Sequence, residues 1–330
     1  MESKTIAVVT GANGFVGSHL VDLLIKKNFT VRCIVRESSN LKWLEGKDIE
    51  LFKCGLFDKK GLEVALKDSE FIYHVAGVVK SKTKEGYYKG NVETTRNLLE
   101  IAVKNKNSLK RFLVVSSQTV SGPSLDEKPV TEETECKPLT TYAKSKLEEE
   151  KLALSYKDLL PVTICRAPAV YGERDTEIFI YFQNFAKRLT TSIGFDKKLV
   201  SLVHAEDLVE GLYLAAVSEK SIGEIYFISS EKYYSWEEIH KITSKVLNKK
   251  ALKIIVPHFI VYTIAAIAQF FSMFSSKAAT LNLEKAKDLV QHAWICDTSK
   301  AMNDLGYRQK IPLEEGIKRT CDWYKKMKWI

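Results

Sequence analysis

The sequence predicts an α/β protein, a doubly wound parallel sheet with a smaller, mainly helical lobe. Three observations predict it. Short apolar runs alternate with helical patterns through the first half of the chain. The first run feeds into three glycines spaced Gly-x-x-Gly-x-x-Gly, and after Arg166 the alternation loosens into helical, aromatic-rich sequence. Composition agrees: 330 residues, 45% apolar and 28% charged, are globular and sufficient for a sizeable core.

Residues 6–10 (Ile-Ala-Val-Val-Thr) form an apolar run ending at glycine, as a strand buried on both faces does. From 14 to about 27, Phe15, Val16, Leu20, Leu23 and Leu24 recur at helical spacing. Runs at 31–35, 49–52, 71–75, 112–116 and 162–165 continue the strands, with helices between them, notably over 91–103 and 142–155. Farther on, 199–203 and 225–228 read as strands and 205–217 as a helix, while 173–188 and 235 to the end are mainly helical. The chain thus divides into a sheet domain over 1–172, to which 195–230 partly returns, and a second lobe over 173–194 and 231–330.

Fifty Lys and Arg against 41 Asp and Glu give a formal net charge of +9. Such an excess suits an anionic cofactor, an acidic membrane surface or nucleic acid. No nucleic-acid motif accompanies it, and solvated lysine-rich helix faces account for most of it. Six scattered cysteines without a Cys-x-x-Cys pair read as reduced packing thiols of a cytoplasmic protein. The six histidines form no His-x-x-x-His pair, so no metal site is expected. The start of the chain lacks a signal-peptide layout, its apolar run covering only residues 6–9.

In the glycine segment, Gly11 permits a tight turn, Gly14 lets backbone approach a pyrophosphate, and Gly17 allows close helix–sheet packing. Free N–H groups at the helix start then favour the phosphates. The end of the second strand discriminates between nicotinamide cofactors: a carboxylate accepts from a ribose 2′-OH, a cation accommodates a 2′-phosphate. Here Arg36 stands at the tip, with Glu37 one step beyond. A guanidinium pairs with phosphate or lies over adenine, so NADP is expected, with NAD as the alternative.

Tyr142 and Lys146 lie four residues apart and share one helix face. An ammonium beside a phenol favours phenolate, which predicts a lowered Tyr142 value and proton exchange with an alcohol or ketone near neutral pH. Lys146 is also within reach of a nicotinamide ribose. Ser117 ends a buried strand, where open α/β sheets place their ligands, and suits a hydrogen bond to the reacting oxygen.

With these motifs, the chain resembles the extended short-chain dehydrogenase/reductase (epimerase/dehydratase) family over nearly its whole length. Further landmarks are His74-Val75-Ala76-Gly77, Asn91-Val92-Glu93-Thr94-Thr95-Arg96-Asn97, Arg166-Ala167-Pro168-Ala169-Val170-Tyr171-Gly172 and Val203-His204-Ala205-Glu206-Asp207. The resemblance implies a Rossmann sheet with a substrate-binding lobe, and Ser117, Tyr142 and Lys146 as a catalytic set with Tyr142 as acid/base. It implies Asn13, Phe15, Val16 and Leu56 among the cofactor contacts, Ala76 and Gly77 near the diphosphate–ribose part, and Ala167, Pro168 and Val170 near the nicotinamide. Asn91 resembles the family's helix-start asparagine, structural or cofactor-proximal. The resemblance also implies a homodimer through the Tyr/Lys helix and the preceding long helix.

Departures narrow the chemistry. Cys54-Gly55-Leu56 replaces a Gly-Asp-Leu/Ile that often binds adenine, and Asp58 suits only a helix cap. Sugar-nucleotide 4,6-dehydratases carry Thr-Asp-Glu where this chain has Ser117-Gln118-Thr119, which cannot expel water. Nucleotide-sugar epimerases typically have an asparagine at Ala169 and a diphosphate-clamping arginine at Val200, although Lys197 and Lys198 stand nearby. The site is therefore expected to oxidise a secondary alcohol or reduce a ketone on a small hydrophobic substrate, steroid-, terpenoid- or flavonoid-like. The alternatives are a nucleotide-sugar epimerase and a non-catalytic NADP(H)-sensing protein.

Residues 254–274 are apolar on nearly all sides and follow Lys245, Lys249, Lys250 and Lys253. The expected reading is a buried helix covering the substrate cleft; the alternative is an interfacial helix making peripheral contact with anionic lipid. Hydroxysteroid dehydrogenases are similar in this region, and flavonoid-type ketone reductases in Val31-Arg32-Cys33-Ile34-Val35-Arg36.

Overall fold

A computed structural model of the chain describes residues 5–274 and 281–330. Residues 1–4, part of the expected plain N-terminus, and 275–280 of the second lobe lie outside the described residues. The first half alternates as expected: β1 (Ile6–Thr10), α1 (Phe15–Lys26), β2 (Thr30–Ile34), β3 (Glu50–Phe52), α2 (Lys59–Leu66), β4 (Phe71–His74), α3 (Lys84–Tyr88), α4 (Thr94–Lys104), β5 (Arg111–Ser117), α5 (Thr141–Leu154) and β6 (Val162–Ala167). There follow β7 (Ala169–Tyr171), α6 (Phe179–Ala186), β8 (Leu189–Ile193), β9 (Leu199–His204), α7 (Ala205–Val217) and β10 (Ile225–Phe227). The chain closes with β11 (Tyr233–Ser235), α8 (Trp236–Leu247), β12 (Leu252–Val256), α9 (His258–Ser272), α10 (Leu283–Leu289), β13 (Ala293–Trp294), α11 (Ser299–Leu305) and α12 (Leu313–Lys326).

Seven strands form one parallel sheet in the order β10-β6-β5-β4-β1-β2-β3. Alternate residues of β1 explain why its sequence is apolar throughout. Ala7 and Val9 join a core with Leu20, Leu24, Leu208 and Leu212 on one face. Val8 joins Leu62, Leu98 and Phe112 on the other, so both faces are covered by helices. After β3 the chain returns to the far side of β1, leaving a crevice at the carboxyl ends of β1 and β4, where such sheets bind ligands.

The second lobe has its own core, with Phe182, Phe185, Ile239, Leu313 and Tyr324 at its centre. It holds more strand than its sequence suggests. The β8–β12 pair is parallel, in register from Leu252↔Leu189 to Val256↔Ile193. The β-branched run Ile254-Ile255-Val256 is extended up to Pro257, which opens α9. A single apolar stretch thus hides a change of period from two to 3.6. The expectation of a buried helix is also corrected: in α9 only Val261 and Ala265 are buried, and most of its side chains face outward. All six cysteines are unpaired, and Cys33, Cys165, Cys296 and Cys321 are buried.

Candidate active site

The glycine turn is built tightly. Gly11 has φ +66°, and a Cβ there would lie 2.8 Å from the Ala76 backbone. At Gly17 a Cβ would lie 2.1 Å from the Gly11 carbonyl oxygen, so α1 approaches β1 closely only without a side chain at this point. Gly14 caps α1 with no side-chain acceptor, which leaves the first N–H groups of the helix, next to Phe15 and Val16, available to an anion. Asn13 donates to the Asn40 carbonyl (3.3 Å), tying the turn to the loop after β2. These features fit a dinucleotide's diphosphate. Gly17→Ala is expected to cost roughly 1–3 kcal/mol and to weaken dinucleotide binding, checked by thermal unfolding and fluorescence titration.

Beyond the tip of β2, Arg36 is exposed and has no carboxylate partner among the described residues. Its Cγ would lie 3.8 Å from a Cβ on Gly55, so it lies along the Cys54-Gly55-Leu56 turn. The Leu56 carbonyl accepts from Asn97 (3.0 Å). Asp58 caps α2 by accepting from the Gly61 N–H (3.1 Å), the role its position suggested.

Strand register gathers the rest. Ser117 ends β5 directly beside Ala167 of β6, and Pro168 and Val170 follow on the same edge, partly exposed. The Ser117 hydroxyl accepts from Thr119 Oγ1 (2.9 Å) and hydrogen-bonds the Tyr142 oxygen. Thr140 caps α5 by accepting from the Ala143 N–H (3.3 Å), which sets Tyr142 in the first turn. Lys146, buried one turn later, donates to the Val115 carbonyl (2.9 Å). A Cβ on Gly77 would come 3.9 Å from its Nζ, so the loop that holds Ala76 and Gly77 lies against the ammonium.

One electrostatic expectation is corrected. Burial pushes the Tyr142 phenol above its usual value; Lys146 and Ser117 pull it down, but Glu149 and Tyr87 push it up. The ammonium's influence is shared with Glu149, which sequence reasoning missed. This fully buried carboxylate pairs with Lys146, accepts from Thr95 Oγ1 (3.1 Å) and lies 3.5 Å from His74 Nε2. Burial raises the Glu149 carboxyl above its ordinary range. Burial would lower Lys146, but Glu149 and Tyr142 hold it above the normal amine value. His74, bonded to Thr10 (2.8 Å) and Thr95 (2.9 Å), is pushed down to about 3 by burial and by Lys146, and is therefore neutral. A hydrogen-bonded chain thus runs from β1 to the Lys146 ammonium. The signal was the middle glutamate of Glu148-Glu149-Glu150: position i+3 from Lys146 falls on the same helix face.

Asn91 proves to be a brace. It accepts from the Val78 N–H (2.7 Å) and donates to Ser145 Oγ (2.8 Å), joining the loop after β4 to α5. Glu284 of α10, also missed, accepts from the Thr141 N–H (3.0 Å) and hydroxyl (2.8 Å). A hollow of about 290 Å³ lies beside them, lined in part by Tyr87, Thr141, Gln269 and Met273. The ring of Tyr87 is 6.4 Å from that of Tyr142. Val200 is buried in the second lobe's core with Phe182 and Leu202. Lys198 is buried and occupied by the Val290 carbonyl (2.5 Å) and Asp196 (3.0 Å), so it is not free to hold a diphosphate.

Comparison with known proteins agrees with this geometry. A model of the NAD dependent epimerase/dehydratase family matches residues 7–229. The chain is 27% identical over its full length to the ceramide reductase of Caulobacter vibrioides, covering 97% of that protein. It is 24% identical to the decarboxylating sterol-4-alpha-carboxylate 3-dehydrogenase of Mus musculus, over 94% of this chain and 89% of that one. In fold it is similar to the UDP-glucuronic acid 4-epimerase of Bacillus cereus, solved with UDP-glucuronic acid and NAD. The TM-score is 0.79 at 23% identity, over 98% of this chain and 100% of that one. With its Rossmann sheet, this is an enzyme of the extended short-chain dehydrogenase/reductase type, and the chain belongs to the NAD-dependent epimerase/dehydratase family.

Proposed function

We propose that the protein is an NADP(H)-preferring oxidoreductase that interconverts a secondary alcohol and a ketone on a hydrophobic, lipid-like substrate. The bound nicotinamide supplies or accepts the hydride. Ser117 orients the substrate oxygen, and the Tyr142 hydroxyl gives it a proton in reduction or takes one in oxidation. Lys146 holds the ribose and moderates the charge on Tyr142. The observation that carries this reading over sugar-nucleotide chemistry is the fate of the clamp positions: Val200 is core and Lys198 is already engaged. Relatives named as a ceramide reductase and a sterol dehydrogenase support a lipid-like substrate.

The test is a panel of lipid-like and water-soluble ketones and alcohols, assayed with NADPH and NADH separately. Ketone-dependent NADPH oxidation is expected. Conversion of a UDP-sugar without net change in nicotinamide would favour the epimerase reading, and cofactor binding without any turnover the sensing one. The phosphate preference rests on Arg36, whose guanidinium is unpaired among the described residues. Arg36→Ala is expected to weaken NADPH binding about tenfold or more and leave NADH nearly unchanged, as loss of a charge-assisted pair with the 2′-phosphate requires. We also carry forward a homodimer through α4 and α5. Such a seam would be polar, since Arg96, Glu100, Lys144, Glu148 and Lys151 are exposed there; light scattering tests it.

A further inference from the structure

Helix α9 carries an apolar face that no described residue covers. Its inner side packs on α10 through Val261 and Ala265. Outside, Phe259, Ile264, Ile267, Phe270, Phe271 and, just past the helix, Phe274 are 48–78% exposed. At 3.6 residues per turn they fall together on one broad face of the helix, and Leu252 and Ile255 of β12 are exposed as well. Lys187, Arg188, Lys250 and Lys253 fringe the start of β8 and β12, exposed and without a carboxylate partner among the described residues. Single exposed apolar residues are ordinary, whereas a contiguous stripe marks an interface. The patch also approaches the first turn of α5: Gln269, Ser272 and Met273 from its end wall the hollow shared with Tyr87 and Thr141, the residue before Tyr142.

We propose that α9 and β12 dock on the surface of an anionic bilayer, with the hollow beside Tyr142 opening toward lipid. Fifteen helical residues rise about 22 Å, short of a ~30 Å hydrocarbon core. No described helix is long and apolar enough to cross a membrane, so α9 lies in the headgroup boundary. Charge selects lipid over a second copy of this chain. An isologous pair would bring like cationic fringes toward each other, whereas anionic headgroups neutralise them. Docking stands on this surface alone; delivery of substrate through it rests on the ketone reading above.

The test is flotation of the full chain with vesicles of phosphatidylcholine, alone or mixed with phosphatidylglycerol. Strong recovery with the anionic vesicles is expected, falling as salt rises. The Ile264→Ser/Phe271→Ser double variant is expected to bind about tenfold more weakly, and Lys250→Glu/Lys253→Glu about thirtyfold. All four side chains are exposed, so melting temperatures stay unchanged. Equal flotation of all three proteins, or flotation of none, overturns the proposal. A wild-type dimer that the apolar double variant converts to monomer does so as well. Turnover of a water-soluble ketone without vesicles is expected to be the same in all three proteins; its absence in all three defeats the ketone reading alone.

Discussion

Tyr142→Phe lowers kcat for ketone reduction about a thousandfold while NADPH still binds with near-native affinity. The variant removes one oxygen and keeps the ring that packs beside Tyr87, so the fold and the glycine cradle are untouched. What is lost is the proton donor, and positioned acid–base groups contribute about 10²–10⁴-fold. The direction of the phenol's shift adds a second expectation. Because burial holds Tyr142 above the ordinary phenol value, the hydroxyl is protonated at neutral pH and ready to act as an acid. Reduction therefore runs at neutral pH, whereas oxidation, which needs the phenolate, accelerates as pH rises. Single-turnover hydride transfer and fluorescence titration separate chemistry from binding. A phenylalanine variant with full turnover would remove Tyr142 from the reaction.

Glu149→Gln has two effects that pull apart. The Lys146 ammonium keeps the Val115 carbonyl and an amide oxygen but loses its counter-charge, and orphaning one member of a buried ion pair costs up to about 3–5 kcal/mol of stability. At the same time a group that pushes the Tyr142 phenol upward disappears. The groups facing the phenol are then Lys146, Ser117 and Tyr87, and two of these three favour phenolate. Glu150 stays on its own partner, Arg166 (2.7 Å), and His74 stays neutral. The rising limb of the alcohol-oxidation profile consequently moves to lower pH in a less stable enzyme. Thermal melts and pH–rate profiles read the two effects independently. A destabilised variant with an unmoved limb would make Glu149 a purely structural residue.

The parts of this molecule visible in its sequence are those whose chemistry is local. Three glycines at a strand–helix junction admit few structures, because side chains at Gly11 and Gly17 would strike backbone. Ser117 is placed by the end of its apolar run and Ala167 by the family resemblance, and the sheet brings them side by side. Burial, by contrast, is a property of the assembled protein. The Tyr-x-x-x-Lys spacing shows an ammonium near a phenol, but not that the ammonium would be buried against a carboxylate while the phenol is partly withdrawn from water. Asn91 was readable as a helix-start residue, yet its ties to Val78 and Ser145 span 13 and 54 positions. The apolar run before Phe274 misled for a related reason: hydrophobicity indicates that a segment avoids water and is silent on whether protein or something else shields it.

The carboxylate of Glu284 occupies two donors of Thr141, one position before the reactive phenol. This latch has a mechanical consequence. The C-terminal lobe cannot swing away like a jaw without unfastening the first turn of α5, which would disturb the geometry of proton transfer on each opening. Parting of the two lobes and loosening of the catalytic helix are thus coupled through a single side chain.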